Sequence, residues 1–271
     1  MGAKRIEAAF ERARAEGRAA LVVFVTCGDP DVETSEALIP LLFEAGADVV
    51  ELGMPHSDPI GEGPTIQASS ERALAHSISP TRILELAKRL RPSLGEHPLV
   101  VMGYWNNALA YGEERLAADC AAAGVDGLIL ADLPFDEREG LRVACEAHDV
   151  ARVLLVTPTT PPERMIAVAR QASGFLYCVS VTGVTGARQG LPPDLGALVA
   201  RAQRLTSTPV AVGFGVSTPE QAAAVGRFAD GVIVGSALVD RIGKAPSRSA
   251  AIEVATEFVR ALRAALDGAR R

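Results

Sequence analysis

Three carboxylates crowd into the stretch VVELGMPHSDPIGEGPTIQ, residues 49–67: Glu51, Asp58 and Glu62. The stretch opens as an apolar, β-branched run and ends in a loop dense with Gly, Pro and acid. Glu51 stands where strand should give way to loop, with Asp58 and Glu62 following within that loop. A carboxylate desolvated there without a partner is costly, so its presence needs a reason. One reason is structural: a buried Arg pairs with it, or backbone amides cap it. The other is chemical: it is a general acid/base whose pKa is raised by its apolar site. The rest of the chain decides between them.

The elements that must position these groups repeat along the chain. Apolar runs at 20–26, 47–52, 98–104, 126–132, 151–157, 174–181, 209–215 and 230–236 are nearly continuous, as expected of parallel strands buried on both faces. Between them lie Ala/Leu/Glu/Arg-rich segments with helical spacing, such as 31–44, 79–91 and 113–124. AGADVV, AGVDGL and RFADGV share one junction: a small residue ends the helix and Asp opens the strand. Eight strands alternating with helices predict a TIM-type (β/α)8 barrel, ahead of a doubly wound open sheet. An extra N-terminal helix is expected at about 4–16. The segment 243–251 reads as a polar insert, and a helix over 252–266 closes the ring.

Composition bounds the function. The 271 residues suffice for a single barrel domain spanning 1–271. The net charge of −6 argues against nonspecific nucleic-acid binding. No apolar run reaches the roughly 18 residues of a membrane span, and the charged N-terminus has no apolar signal core. The Met-Gly start lacks the Ser or Thr at position six that myristoylation needs. Cys27, Cys120, Cys145 and Cys178 have no CxxC spacing and read as scattered buried thiols of a cytoplasmic protein.

A barrel puts its chemistry on the loops that follow the strands. Glu51 ends the second strand, and Tyr177 lies in the sixth. The Gly-rich loop 181–195 has the composition of a lid. GFGVSTPEQ (213–221) and VGSALVD (234–240) each place Gly before a short helix, an arrangement that suits a phosphate at a helix N-terminus. Lys4, Lys88 and Lys244 do not end barrel strands, which argues against Schiff-base chemistry. His56, His76, His97 and His148 are dispersed and show no metal-ligand spacing. Only His56 lies near the site, where it reads first as a loop packing residue. What remains is acid/base chemistry by carboxylates on a phosphorylated substrate, with no metal and no cofactor.

The segments FVTCGDP (24–30), VELGMPHSDPIGEGPTIQ (50–67), MGYWN (102–106), LILADLP (128–134), SVTGVTGARQGLP (180–192), GFGVSTPEQ (213–221) and GVIVGSALV (231–239) are together similar to those of the tryptophan synthase alpha subunit family. The resemblance covers nearly the whole chain. It implies cleavage of indole-3-glycerol phosphate to indole and glyceraldehyde 3-phosphate. It further implies transfer of the indole to a PLP-dependent beta subunit in an alpha-beta-beta-alpha tetramer. By this resemblance Glu51 is the proton donor and acceptor, and Glu62 is the second carboxylate, at a position where the family pattern has Asp. Phe24, Met102, Ile129, Ala131, Leu155 and Phe214 match the indole pocket. Tyr177 and Thr185 match a strand tyrosine and a lid threonine. Gly186, Gly215, Gly235 and Ser236 match the phosphate cradle. Pro55, Asp58 and Asn106 match the face toward the beta subunit, with Asn107 in place of the usual Pro. Alternatives are a stand-alone lyase that releases indole, a weakly catalytic subunit that activates a partner, and a histidine-pathway isomerase. The last would want acids ending strands one and five, where the chain has FVTCGD and LLVTPT.

Overall fold

The computed structural model describes residues 2–137, 139–180, 192–213 and 215–269. Its strands are β1 (Ala20–Thr26), β2 (Val49–Gly53), β3 (Leu99–Gly103), β4 (Gly127–Leu130), β5 (Ala151–Arg152), β6 (Leu154–Val156), β7 (Leu176–Val179), β8 (Val210–Gly213) and β9 (Gly231–Val234). All pair in parallel, in the order β5-β4-β3-β2-β1-β9-β8-β7-β6. The ends of this order, β5 and β6, are the two halves of the expected fifth strand, 151–157. β5 pairs with β4, Val153 N donates to Leu128 O, and β6 pairs with β7. One run of chain thus hands its hydrogen bonds from one neighbour to the other and nearly closes the barrel. The eight sequence strands therefore appear as nine hydrogen-bonded segments.

Side chains alternate across the barrel wall, as a period of two requires. Val22, Phe24, Val49, Val100, Met102, Ile129 and Tyr177 belong to the interior cluster. Leu21, Val23, Val25, Val50, Leu52, Leu99 and Val101 belong to the layer between strands and helices. Both faces are buried, which is why the strands read as continuous apolar runs.

The helix Gly2–Ala15 belongs to the interior cluster, not to the outer layer. Its Ile6, Ala9, Phe10 and Ala13 pack under the barrel. Burial of Ile6 and Phe10 contributes about 1.5–3 kcal/mol each. Phe10 stacks toward Phe175 at 5.6 Å between ring centroids, and Phe175 toward Tyr177 at 6.3 Å. An aromatic file so runs from the plug to the opposite end. A Cβ on Gly231 would lie 2.8 Å from the Phe10 ring, so the Gly of RFADGV makes room for the plug.

The repeated junction Asp has a physical role as well. Asp48 N donates to Leu21 O while Asp48 Oδ2 accepts from Leu21 N. Asp126 clasps Leu99 in the same reciprocal way, and Asp230 clasps Val210. Each Asp thereby satisfies an amide at the start of a neighbouring strand, the first of β3 and β8 and the second of β1, which would otherwise be an unpaired buried donor. Positive or polar groups complete the clasps: Arg18 and Arg263 on Asp48, Arg5 and Arg91 on Asp126, Gln203 on Asp230.

On the opposite rim, the helix Ser236–Lys244 follows β9 directly, and the helix Arg248–Gly268 closes the ring. Ser247 caps the latter by accepting from Ala250 N, so the last helix starts inside the polar stretch and before residue 252. The four cysteines are buried and unpaired, and burial pushes the Cys27 thiol up to about 12.

Candidate active site

β2 projects Glu51 into the barrel because Val49, two residues earlier, points there too. Registry sets Phe24 of β1 and Val100 of β3 beside it. Glu51 is 1% exposed, and neither carboxyl oxygen has a hydrogen-bond partner among the described residues. Burial, and then the nearby Glu62 charge, push its pKa up to about 8. Glu51 is therefore protonated at neutral pH. Among the described residues no Arg pairs with it and no backbone amide caps it.

Glu62 reaches the same space from the loop after β2. Its amide donates to Pro59 O, and Gln67 Nε2 donates to its carbonyl. Gly63 then caps the helix Pro64–Ala75, with Pro64 at its first position. Tyr104, beyond β3, closes the loop from the side: its buried hydroxyl lies 3.4 Å from where a Cβ on Gly61 would be. His56 packs its ring on Tyr104 at 4.9 Å and accepts from Asp58 N at Nδ1, as a loop packing residue does.

A cavity of about 450 Å3 joins these groups, past Phe24 of β1, to the loops that follow β8 and β9. At one end lie Glu51, Glu62 and Met102. Phe24, Tyr177, Ile66 and Ile233 form its apolar walls. Gly215, Gly235 and Ser236 stand at the other end. Burial, followed by the charges of Glu51 and Glu62, raises the Tyr177 phenol well above its ordinary value, so it is neutral. A Cβ on Gly213 would fall 2.2 Å from the Tyr177 hydroxyl, so Gly213 is what lets that ring lie along the wall.

The glycine end is shaped for an anion. Gly215 adopts φ +91°, which favours glycine. Gly235 is the N-cap of Ser236–Lys244 and its carbonyl accepts from Leu238 and Val239. The first amides of that helix and the Ser236 hydroxyl line the cavity with the positive end of the helix dipole.

Glu51, Glu62, Phe24, Met102, Tyr177, Gly215, Gly235 and Ser236 are thus brought together. Ile129 belongs to the interior cluster, Ala131 and Leu155 are partly buried and pack against it, and none of the three is among the cavity's lining residues. Thr185, Gly186 and Phe214, with most of the lid loop, lie outside the described residues. Pro55 and Asn106 line a separate surface depression, and Asp58 is exposed near it. Sequence reasoning missed Thr65, Ile66, Ser217, Asp240 and Arg241, and it set Lys244 aside. These also line the cavity. For Asp240, Arg241 and Lys244 the only signal was helix-face spacing after GSALV. Among the described residues, no three His, Cys, Asp or Glu side chains gather as metal ligands would.

A family model described as tryptophan synthase alpha chain matches residues 10–267. The chain belongs to the tryptophan synthase alpha chain family. A tryptophan synthase alpha chain of Geobacter sulfurreducens is 50% identical over 262 residues, covering 97% of this chain and 98% of the relative. Another, from Citrifermentans bemidjiense, is 52% identical over 235 residues, covering 87% and 88%. Among solved structures, tryptophan synthase subunit alpha of Legionella pneumophila superposes with a TM-score of 0.90 at 38% identity, covering 97% of this chain and 98% of that one. A chain of Mycobacterium tuberculosis tryptophan synthase gives 0.88 at 38% identity, covering 97% and 98%. Membership brings a lyase activity in tryptophan biosynthesis. In this family the pyridoxal phosphate resides in the beta subunit, and the alpha chain needs no cofactor. No helix among the described residues is long and apolar enough to cross a membrane.

Proposed function

We propose that the chain cleaves indole-3-glycerol phosphate to indole and glyceraldehyde 3-phosphate, with Glu51 as the proton carrier. The carrying observation is one cavity with a protonated, unpartnered Glu51 at its apolar end and a helix N-terminus at the other. Carbon–carbon cleavage needs an electron sink. Glu51 protonates ring carbon C3, and the resulting indolenine cation is that sink. The Glu51 carboxylate then takes the proton of the side-chain hydroxyl. The carbon–carbon bond breaks, the aldehyde forms, and the electron pair returns to the ring. Glu51 ends as it began, protonated. Its raised pKa suits both halves of the step.

Glu62, whose charge helps to raise the Glu51 pKa, accepts from the indole N–H and stabilises positive charge that develops there. Phe24 and Met102 enclose the ring. Gly215, Gly235 and Ser236 hold the phosphate, joined by Gly186. By family resemblance Thr185 and Phe214 also contact the substrate. The cavity volume of about 450 Å3 suits a ligand of this size.

A beta subunit receives the indole, in an alpha-beta-beta-alpha tetramer of the cytoplasm. The face around Pro55, Asp58 and Asn106 supports this, because Ile60, on the loop that carries Pro55 and Asp58, is 77% exposed and Leu109, on the helix Trp105–Tyr111 that carries Asn106, is 53% exposed. Solvent-facing side chains of that size suit burial by a partner. The test is indole release from indole-3-glycerol phosphate by the purified chain, alone and with a tryptophan synthase beta chain. Release that rises with the beta chain is expected; no release in either case refutes the reading.

A further inference from the structure

The cavity lining holds three acids, Glu51, Glu62 and Asp240, and its cations among the described residues are Arg241 and Lys244. Both cations stand on the helix Ser236–Lys244, whose N-terminus forms the glycine end of the cavity. An anionic ligand approaches a chain of net charge −6, so it meets an unfavourable overall field. A local positive lip at the mouth reverses that field where entry occurs.

We propose that Arg241 and Lys244 form an electrostatic rim that captures the phosphate group of the substrate and positions it for the Gly235–Ser236 cradle. This rests on the phosphate-ester substrate proposed above. Arg241 has no carboxylate partner among the described residues. Its Nη1 donates to Ala237 O at 2.6 Å, and its guanidinium lies over the Phe258 ring at 3.7 Å. That stacking fixes the guanidinium on the helix that lines the cavity, and Nε and Nη2 have no hydrogen-bond partner among the described residues. Lys244 is 75% exposed and bound to Asp240 at 2.7 Å. Asp240 is therefore a tether that also lowers the rim's charge. Basic residues in a last helical turn complement the helix dipole whichever way they face. Here both face the cavity, which the dipole alone does not require.

The rim acts on capture and not on the proton transfer at Glu51. It predicts a KM effect that salt removes, and opposite effects of its two signs of charge. In the R241Q/K244Q double variant, KM for indole-3-glycerol phosphate at low salt rises roughly five- to tenfold, at the low end of electrostatic focusing, while kcat holds. At about 1 M salt, where the screening length is about 3 Å, the two proteins converge. Asp240→Asn shifts KM the other way, downward at low salt. Inorganic phosphate provides a readout independent of cleavage: its thermal protection of the chain weakens in the double variant. If the wild type failed to cleave the substrate, the function reading would fall while the phosphate measurement still tested the rim. An unchanged low-salt KM, a fall in kcat alone, equal phosphate protection, or the same direction of change for D240N and the double variant overturns the proposal.

Discussion

The two ends of the barrel treat buried carboxylates in opposite ways. At the N-terminal end, the Asp126 side chain is 0% exposed, yet it accepts from Leu99 N and from Arg5 and Arg91. Burial raises its pKa, and the Arg5 hydrogen bond heads the influences that pull it back down. At the C-terminal end, Glu51 is just as buried, has no hydrogen-bond partner among the described residues, and faces a second acid. A buried charge with partners ties strands together. A buried acid without them keeps its proton at neutral pH and has it ready to give.

The contrast breaks most readily at its structural end. Asp126→Ala takes from Arg5 and Arg91 their shared buried carboxylate and from the Leu99 amide its acceptor, and should cost about 3–5 kcal/mol in denaturant unfolding. Turnover per folded molecule should hold. A loss near zero would mean that the clasp is ornamental and that the two ends do not differ as described.

Glu62 sharpens the other end. Glu62→Ala should lower turnover by about 10²–10³-fold, as for loss of a placed electrostatic group, with little change in stability. Glu62→Asp should be no better than wild type, because the loop between Pro59 and Gly63 is set for the longer arm. If wild type is nearly inert with a beta chain and E62D restores cleavage, the chain acts instead as an activating partner.

A further effect concerns stability and pH. Glu51 moves from 4.5 to about 8 on folding, so between these values the native state binds more protons than the unfolded chain. Its contribution to stability therefore falls as pH rises through this window, and the penalty is complete above about 8. Glu51→Gln removes the titration. Its melting temperature relative to wild type should climb from pH 5 to pH 9, and a flat difference would show that Glu51 does not carry the raised pKa.

Much of this was legible in sequence because barrel strands are buried on both faces and their helices end in a repeated junction. The break at Val153 was not, since LLV continues an apolar run and the handover of hydrogen bonds depends on barrel closure. The N-terminal helix was readable as amphipathic, but its destination under the barrel depends on the space left by Gly231. The start of the last helix was hidden because its cap, Ser247, lies in a polar stretch that resembles a loop. At the site, strand-end groups such as Glu51 and Tyr177 were found because strand parity fixes their direction. Asp240, Arg241 and Lys244 were missed because the facing of a rim helix depends on packing that no motif records. Ile129 stands level with the cavity-lining Met102 in the strand register, though it is not itself among the lining residues.

The most direct test is single-turnover cleavage of indole-3-glycerol phosphate by wild type and Glu51→Gln, with substrate binding measured alongside. Gln keeps the size of the side chain and removes its transferable proton. Binding should persist while the rate falls by at least about 10²-fold, the lower end for general acid/base catalysis. A near-normal rate in E51Q would contradict the assignment of Glu51 as the proton carrier.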